Sequence, residues 1–331
     1  MSKLLEKRNA IYGICAVWIM LFHVFRRIGM PYIPVLTNIA GIGNMAVDVF
    51  FFFSGLCLSL SVEKRDYKRN GWSSFYKRRI VRILIPYLII CIPYYLWNAA
   101  YEVNGSAEHK LLVFAANLSS ASFWLRGTQT TWYVYGIAVF YLLFPYLHSV
   151  ASGMDRKKKG MLLIGCVGFA VLTAFVPLLR NSTLVWARLP IFTIGVLMGI
   201  RPNMGKLPQK QEIIASILVL IVLGWLTSFS EISASFTIPQ VFRFLLYTPM
   251  TLSLMCVLSI VNGKRNIFER IGGFSLEIYL VHITLLHPLK YYGLVDMTGY
   301  WLYLILPAIT LPVAALVAKI EQEVLSKNPV K

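Results

Sequence analysis

His23 stands near one end of an otherwise uncharged apolar run, Ala10 to Phe25. An ionisable group inside such a run is expensive to desolvate, so by default it marks function. Asp48 interrupts the next apolar run, and a carboxylate within reach of an imidazole fixes its tautomer and raises its basicity. The pair are candidates for a general base and its orienting partner. Plainer roles are a bond from His23 to a backbone carbonyl, and pairing of Asp48 with Arg26 or Arg27 one turn above the histidine. The basic cluster Lys77-Arg78-Arg79-Ile80-Val81-Arg82 comes next. Arg79 and Arg82, three residues apart on a helix, face the same direction. Guanidinium pairs of that kind suit a bidentate hold on phosphate oxygens, and lipid headgroups would be held by the same chemistry.

Later in the chain, Glu277 and His282 share one apolar run, followed by His287 and Lys290. Five residues of helix turn Glu277 and His282 about 140° apart, so they need not share a face. His282 is a candidate for substrate contact or for a structural hydrogen bond within the membrane. Arg188 and Arg243 lie near the outer ends of two further runs, where they either snorkel to the interface or meet an acceptor. Trp132, Tyr133 and Tyr135 open another run, and an aromatic belt at the outer interface accounts for them without chemistry.

The elements that must position these groups are membrane helices. Hydrophobic residues make up 57% of the chain and charged residues 14%, with mean hydropathy +0.66. That balance is far from a soluble globular one and identifies an all-α polytopic membrane protein. A span needs roughly 20 apolar residues, which gives about ten candidates: 10–28, 40–62, 83–101, 131–150, 160–179, 184–200, 212–229, 240–261, 272–292 and 300–320. Formal net charge is +18, but basic residues gather on cytoplasmic loops for topological reasons, so the excess does not imply nucleic acid. The segments Ser2–Arg8, Glu63–Arg82, Asp155–Lys159, Arg201–Lys210, Asn262–Arg270 and Lys319–Lys331 hold 24 of the 32 Lys and Arg. They alternate with less basic connections, which puts both termini in the cytoplasm and agrees with an even number of spans.

The first run is expected to be a retained span rather than a cleaved signal, since no small-residue cleavage motif follows it. No polar stretch approaches the length of a soluble domain, so residues 1–331 are expected to form one membrane domain. The outer stretch Glu102–Thr130 is long, and its segment Leu111–Leu125 is expected to lie as an interfacial or re-entrant helix. The five cysteines all fall in apolar runs, with neither disulfide nor metal-ligand spacing. By rise along the helix, His23 lies about 20 Å up the first span and Asp48 about 10 Å down the second, at comparable depth.

Several stretches together resemble the acyltransferase-3 family of integral membrane O-acyltransferases. They are Ile11-Tyr12-Gly13 with Leu21-Phe22-His23, Val47-Asp48-Val49 through Ser54-Gly55, and Phe75-Tyr76-Lys77-Arg78-Arg79 through Arg82 and Pro86-Tyr87. Thr131-Trp132-Tyr133 with Phe144-Pro145, Arg188-Leu189-Pro190 through Gly195, and Ser275-Leu276-Glu277 through His282 are similar to later family blocks. Each block is weak alone; their common order over roughly residues 8 to 290 carries the resemblance. The family usually places Arg or Lys eleven residues before the first-span histidine, and here that position is Tyr12.

The resemblance implies transfer of an acyl group, acetyl above all, from cytoplasmic acyl-CoA to a hydroxyl of a carbohydrate or lipid-linked saccharide at the outer side of a bacterial plasma membrane. Arg79 and Arg82, supported by Arg78, would hold the CoA phosphates. His23, oriented by Asp48, would act as general base, and Tyr133, Arg188, Arg243 and His282 would contact substrate. Acyl-CoA (acetyl-CoA) is then a co-substrate, with no tightly bound cofactor and no metal. An acyl-histidine intermediate is a variant of the same chemistry. The rival class is a proton-coupled transporter or saccharide flippase, in which His23, Asp48 and His282 form a proton relay.

Overall fold

Among the described residues ten principal helices carry the chain, because its apolar runs satisfy every backbone group internally only when helical. The computed structural model describes residues 2–31, 33–65, 67, 71–128, 130–200, 208–229, 237–260 and 267–327. The helices are α1 (Arg8–Ile28), α2 (Ala46–Arg65), α3 (Ser73–Tyr101), α4 (Trp132–Ser152), α5 (Arg156–Phe175), α6 (Leu189–Gly199), α7 (Lys210–Phe229), α8 (Thr237–Ile260), α9 (Ser275–Tyr291) and α10 (Leu302–Lys327). Among the described residues, eight helices are long and apolar enough to cross a membrane. The two remaining expected spans correspond to α6, of 11 residues, and α9, of 17 residues. The expected basic connections Arg201–Lys210 and Asn262–Arg270 lie largely outside the described residues, as do Lys68 and Arg69.

Local sequence sets the helix ends. At α5 the Asp155 carboxylate accepts from Lys158 N at 2.8 Å, satisfying one of the free amide groups of the first turn. At the far end of α1, Gly29 turns with φ +66° while its N–H bonds Phe25 O, and Arg26 and Arg27 occupy the last turn, where the helix dipole favours cations. The stretch between α3 and α4 differs from expectation. In place of one helix over Leu111–Leu125 there are two, Ala107–Leu118 and Ala121–Arg126, broken where Ser120 takes φ +70°.

Two close approaches fix the helices around the site. α2 and α6 pack backbone to backbone: a Cβ on Gly195 would overlap the Phe52 carbonyl oxygen, and one on Gly55 the Phe192 carbonyl oxygen. Small residues at such positions let membrane helices approach closely. The short helix Ile267–Gly272 lies against the start of α1 in the same way, with Gly272 over the Asn9 carbonyl and Gly13 over that of Phe268. This second contact brings the start of α9 beside the start of α1.

Candidate active site

At the end of the bundle where α1 begins, a cavity of about 190 Å³ opens between α1, α2, α3, α4 and α9. Arg8, Arg79 and Arg82 are its cations. On α4 its lining positions Tyr133, Ile137 and Tyr141 recur every fourth residue, so one helix face borders it over about 12 Å of depth. Its inner part is aromatic: Tyr12 meets Phe50 at 4.8 Å between ring centroids, and Tyr133 meets Tyr279 at 5.1 Å. A second cavity of about 540 Å³ shares Arg79 and Arg82 and adds Arg78, Tyr67, Glu277 and Glu321.

The arginine cluster divides as its spacing predicts. Arg79 and Arg82 border both cavities, whereas Arg78 borders only the larger one. Arg78 is held by Tyr67 Oη at 3.0 Å and Ser74 Oγ at 3.1 Å. Arg79 lies over the Phe75 and Tyr141 rings. Arg8 completes the set, its guanidinium 5.9 Å from the Tyr12 ring centroid. In sequence Arg8 is one of the basic residues of the segment Ser2–Arg8. The signal was its position four residues before Tyr12, on the same face of α1.

From the inner part of the cavity, aromatic contacts lead to the histidines. The Tyr279 hydroxyl accepts from Tyr133 N at 3.3 Å, and its ring lies 5.8 Å from that of His282. The His282 ring in turn lies 5.2 Å from that of His23. His282 is fully buried, and its Nδ1 is 2.8 Å from Ile278 O. A carbonyl can only accept, so Nδ1 carries the proton and Nε2 is left as an acceptor. That Nε2 has no hydrogen-bond partner among the described residues. His23 is half-buried beside it.

Asp48 departs from expectation. It does not reach His23; its Oδ2 pairs with Arg188 Nε at 3.3 Å, both side chains being fully buried. A carboxylate away from water gains far more from a guanidinium than from a neutral imidazole, and the α2–α6 contact supplies one. Arg188 likewise does not snorkel, and among the described residues it is in the lining of neither the cationic cavities nor the pocket at the far end of α1. Its guanidinium is enclosed by Phe244, Trp132 and Tyr247, with Cζ at 4.1, 5.2 and 6.0 Å from the ring centroids.

Trp132 and Tyr135 are buried rather than belted at an interface. The bundle interior supplies polar partners for the nearby hydroxyls: Tyr135 Oη donates to Asn117 O at 3.0 Å and meets Tyr87 Oη at 3.0 Å, and Tyr95 Oη meets Thr131 Oγ1 at 2.8 Å. Tyr133, the third of that group, borders the cationic cavity.

At the other end of α1, Phe22 and Arg26 border a separate pocket of about 250 Å³, together with Asn44, Arg180, Gln240, Arg243 and Tyr247 among others. His23 is in the lining of neither cavity; it stands on α1 one residue after Phe22 and within one turn of Arg26.

A family model described as an acyltransferase domain matches residues 9–319. Nothing among curated proteins or among solved structures matches the chain.

Proposed function

Because the chain belongs to the acyltransferase-3 family of membrane acyltransferases, we propose that it moves an acetyl group from cytoplasmic acetyl-CoA to a saccharide hydroxyl presented at the opposite membrane face, with His23 as general base. The observation that carries this reading is the continuity from Arg8, Arg79 and Arg82 through Tyr133 and Tyr279 to His282 and His23. Three guanidiniums beside one cavity mouth suit the phosphates of CoA. Arg8, one turn below Tyr12, supplies the cation that Tyr12 itself lacks.

The phosphate-bearing end of CoA remains with the arginines while its extended pantetheine arm runs along the aromatic wall. The acceptor hydroxyl oxygen attacks the thioester carbonyl carbon as His23 takes its proton. Collapse of the tetrahedral intermediate breaks the C–S bond, leaving an ester on the acceptor and CoA thiolate, which regains a proton. His282, held by Ile278 O, serves as the neighbour that positions His23, the part first expected of Asp48. The Asp48–Arg188 pair instead fixes α2 to α6 beside the reacting groups.

The test is CoA release from acetyl-CoA by the purified full-length protein, with and without a panel of saccharides. Saccharide-stimulated release that is lost in His23→Ala supports the reading. A wild type that never consumes the thioester yet drives saccharide uptake into vesicles sinks it in favour of a transporter.

A further inference from the structure

The pocket at the far end of α1 has a chemistry of its own. Tyr247 is fully buried and Thr183 is 5% exposed, and both border it. The Thr183 hydroxyl and the Nε of Arg243 are buried without a hydrogen-bond partner among the described residues, and the Tyr247 hydroxyl stands within hydrogen-bonding reach of the Arg243 guanidinium. Buried polar groups are nearly always satisfied, so unsatisfied donors gathered at one pocket point to a ligand. All three can donate. Arg26 adds a further guanidinium at the rim, and no carboxylate borders the pocket among the described residues. Behind its wall the buried acid Asp48 is already matched by Arg188. The local balance is therefore positive and donor-rich, which suits an oxyanion. Asn44, Asn181 and Gln240, also at the pocket, offer both donors and acceptors, the pairing that sugar hydroxyls need.

We infer that this pocket binds the acceptor and that the acceptor is an acidic saccharide, its carboxylate or phosphate lying between Arg26 and Arg243 with Tyr247 and Thr183 donating to it. The acceptor role rests on the acyltransferase reading above; the anion preference rests on the pocket alone. Arg26 is within one turn of His23, so an anion held there leaves a neighbouring sugar hydroxyl on the side of the histidine.

The test uses the full-length protein in phosphatidylcholine nanodiscs and measures binding of a galacturonate trisaccharide, inorganic diphosphate and a neutral galactose trisaccharide, with acetyl-CoA titrated in parallel. At least one anion is expected to bind, with the neutral sugar about tenfold weaker or worse. Arg243→Gln and the exposed-site variant Arg26→Gln should each weaken the anion about tenfold while leaving acetyl-CoA affinity unchanged, which also certifies their folding. Uronate binding alone identifies a carboxylate-bearing sugar; diphosphate binding alone identifies a phosphate-linked one. Three results overturn the inference: neither anion binding to protein that binds acetyl-CoA, binding that survives both substitutions, or binding abolished by phosphatidylglycerol in the disc, which assigns the pocket to a lipid headgroup. If the anion binds normally but acetyl-CoA never does, the pocket stands and the acyltransferase reading falls.

Discussion

Asp48 and Arg188 form an ion pair with Oδ2 and Nε 3.3 Å apart and with no part of either side chain exposed. Their helices share one register: Asp48, Phe52, Gly55 and Ser59 on α2 have the same four, three, four spacing as Arg188, which caps α6, and Phe192, Gly195 and Gly199 within it. That spacing keeps a single face turned to the partner helix. Gly195 meets the backbone of Phe52, Gly55 meets that of Phe192, and Gly199 meets Ser59, so the charged pair is the last rung of a continuous contact.

Breaking this rung should be far worse than removing it. Asp48→Ala leaves Arg188 charged and unmatched among aromatic rings, at a cost of about 3–5 kcal/mol for a broken buried pair. The double variant Asp48→Leu, Arg188→Met should recover most of the loss, since apolar replacements of a buried pair are often neutral. Unfolding in detergent checks this through a double-mutant cycle. Simple additivity of the two single variants would remove the pair from the stability of the contact. Acetyl transfer by the double variant carries a second message: activity well above that of Asp48→Ala means that Asp48 acts on packing and not on His23.

The glycines of the same contact should tolerate no side chain. Gly195→Ala drives a methyl into the Phe52 carbonyl, which belongs to a helix backbone and has little room to give. Overpacking of this kind costs about 1–3 kcal/mol. Gly165→Ala on α5, where an added Cβ meets nothing within 4 Å, is the matched control. Equal melting points for the two variants would contradict the close approach.

Which features were legible in the sequence follows from what each depends on. The helices were readable because apolar length and the absence of water force backbone closure within each run. Arg79 and Arg82 were readable because their relation is internal to one helix. The Asp48 partner was not: depth along two spans said that His23 and Asp48 were level, but depth says nothing about rotation, and α2 turns Asp48 toward α6. The pairing of His23 with His282 and the gathering of Arg26, Arg243, Thr183 and Tyr247 depend on helices distant in sequence. Trp132 and Tyr135 misled for a related reason, since an aromatic cluster at the start of a span has the same composition whether it faces lipid or the bundle interior.

The cationic cavity should discriminate in donor affinity. Arg8→Gln, Arg79→Gln and Arg82→Gln each remove charge from the wall that the proposal assigns to CoA phosphates. Each is expected to raise the acetyl-CoA dissociation constant about tenfold, with the effect shrinking as salt rises because the mouth is open to solvent. Arg78→Gln, tied to Tyr67 and Ser74, should change affinity less. Calorimetric titration separates these outcomes, and an Arg8 variant with wild-type affinity would return that residue to the ordinary inner basic cluster.

The two histidines should differ in what they lose. His23→Ala removes the proposed base, and general-base groups contribute about 10²–10⁴ in rate, so transfer should fall by that order while acetyl-CoA still binds. His282 has no free path to solvent and touches His23 ring to ring, so its contribution is to hold His23 in place. His282→Phe keeps the bulk and the aromatic contact but loses the acceptor Nε2 and the bond to Ile278 O. Transfer by this variant should drop about tenfold or more, the scale of one lost hydrogen bond beside a reacting group, with the donor constant unmoved. Full activity in His282→Phe would make the contact one of packing alone, and His23 would then work without an orienting neighbour. The single-turnover rate with bound acetyl-CoA is the quantity to measure, because it excludes donor binding and product release from the comparison.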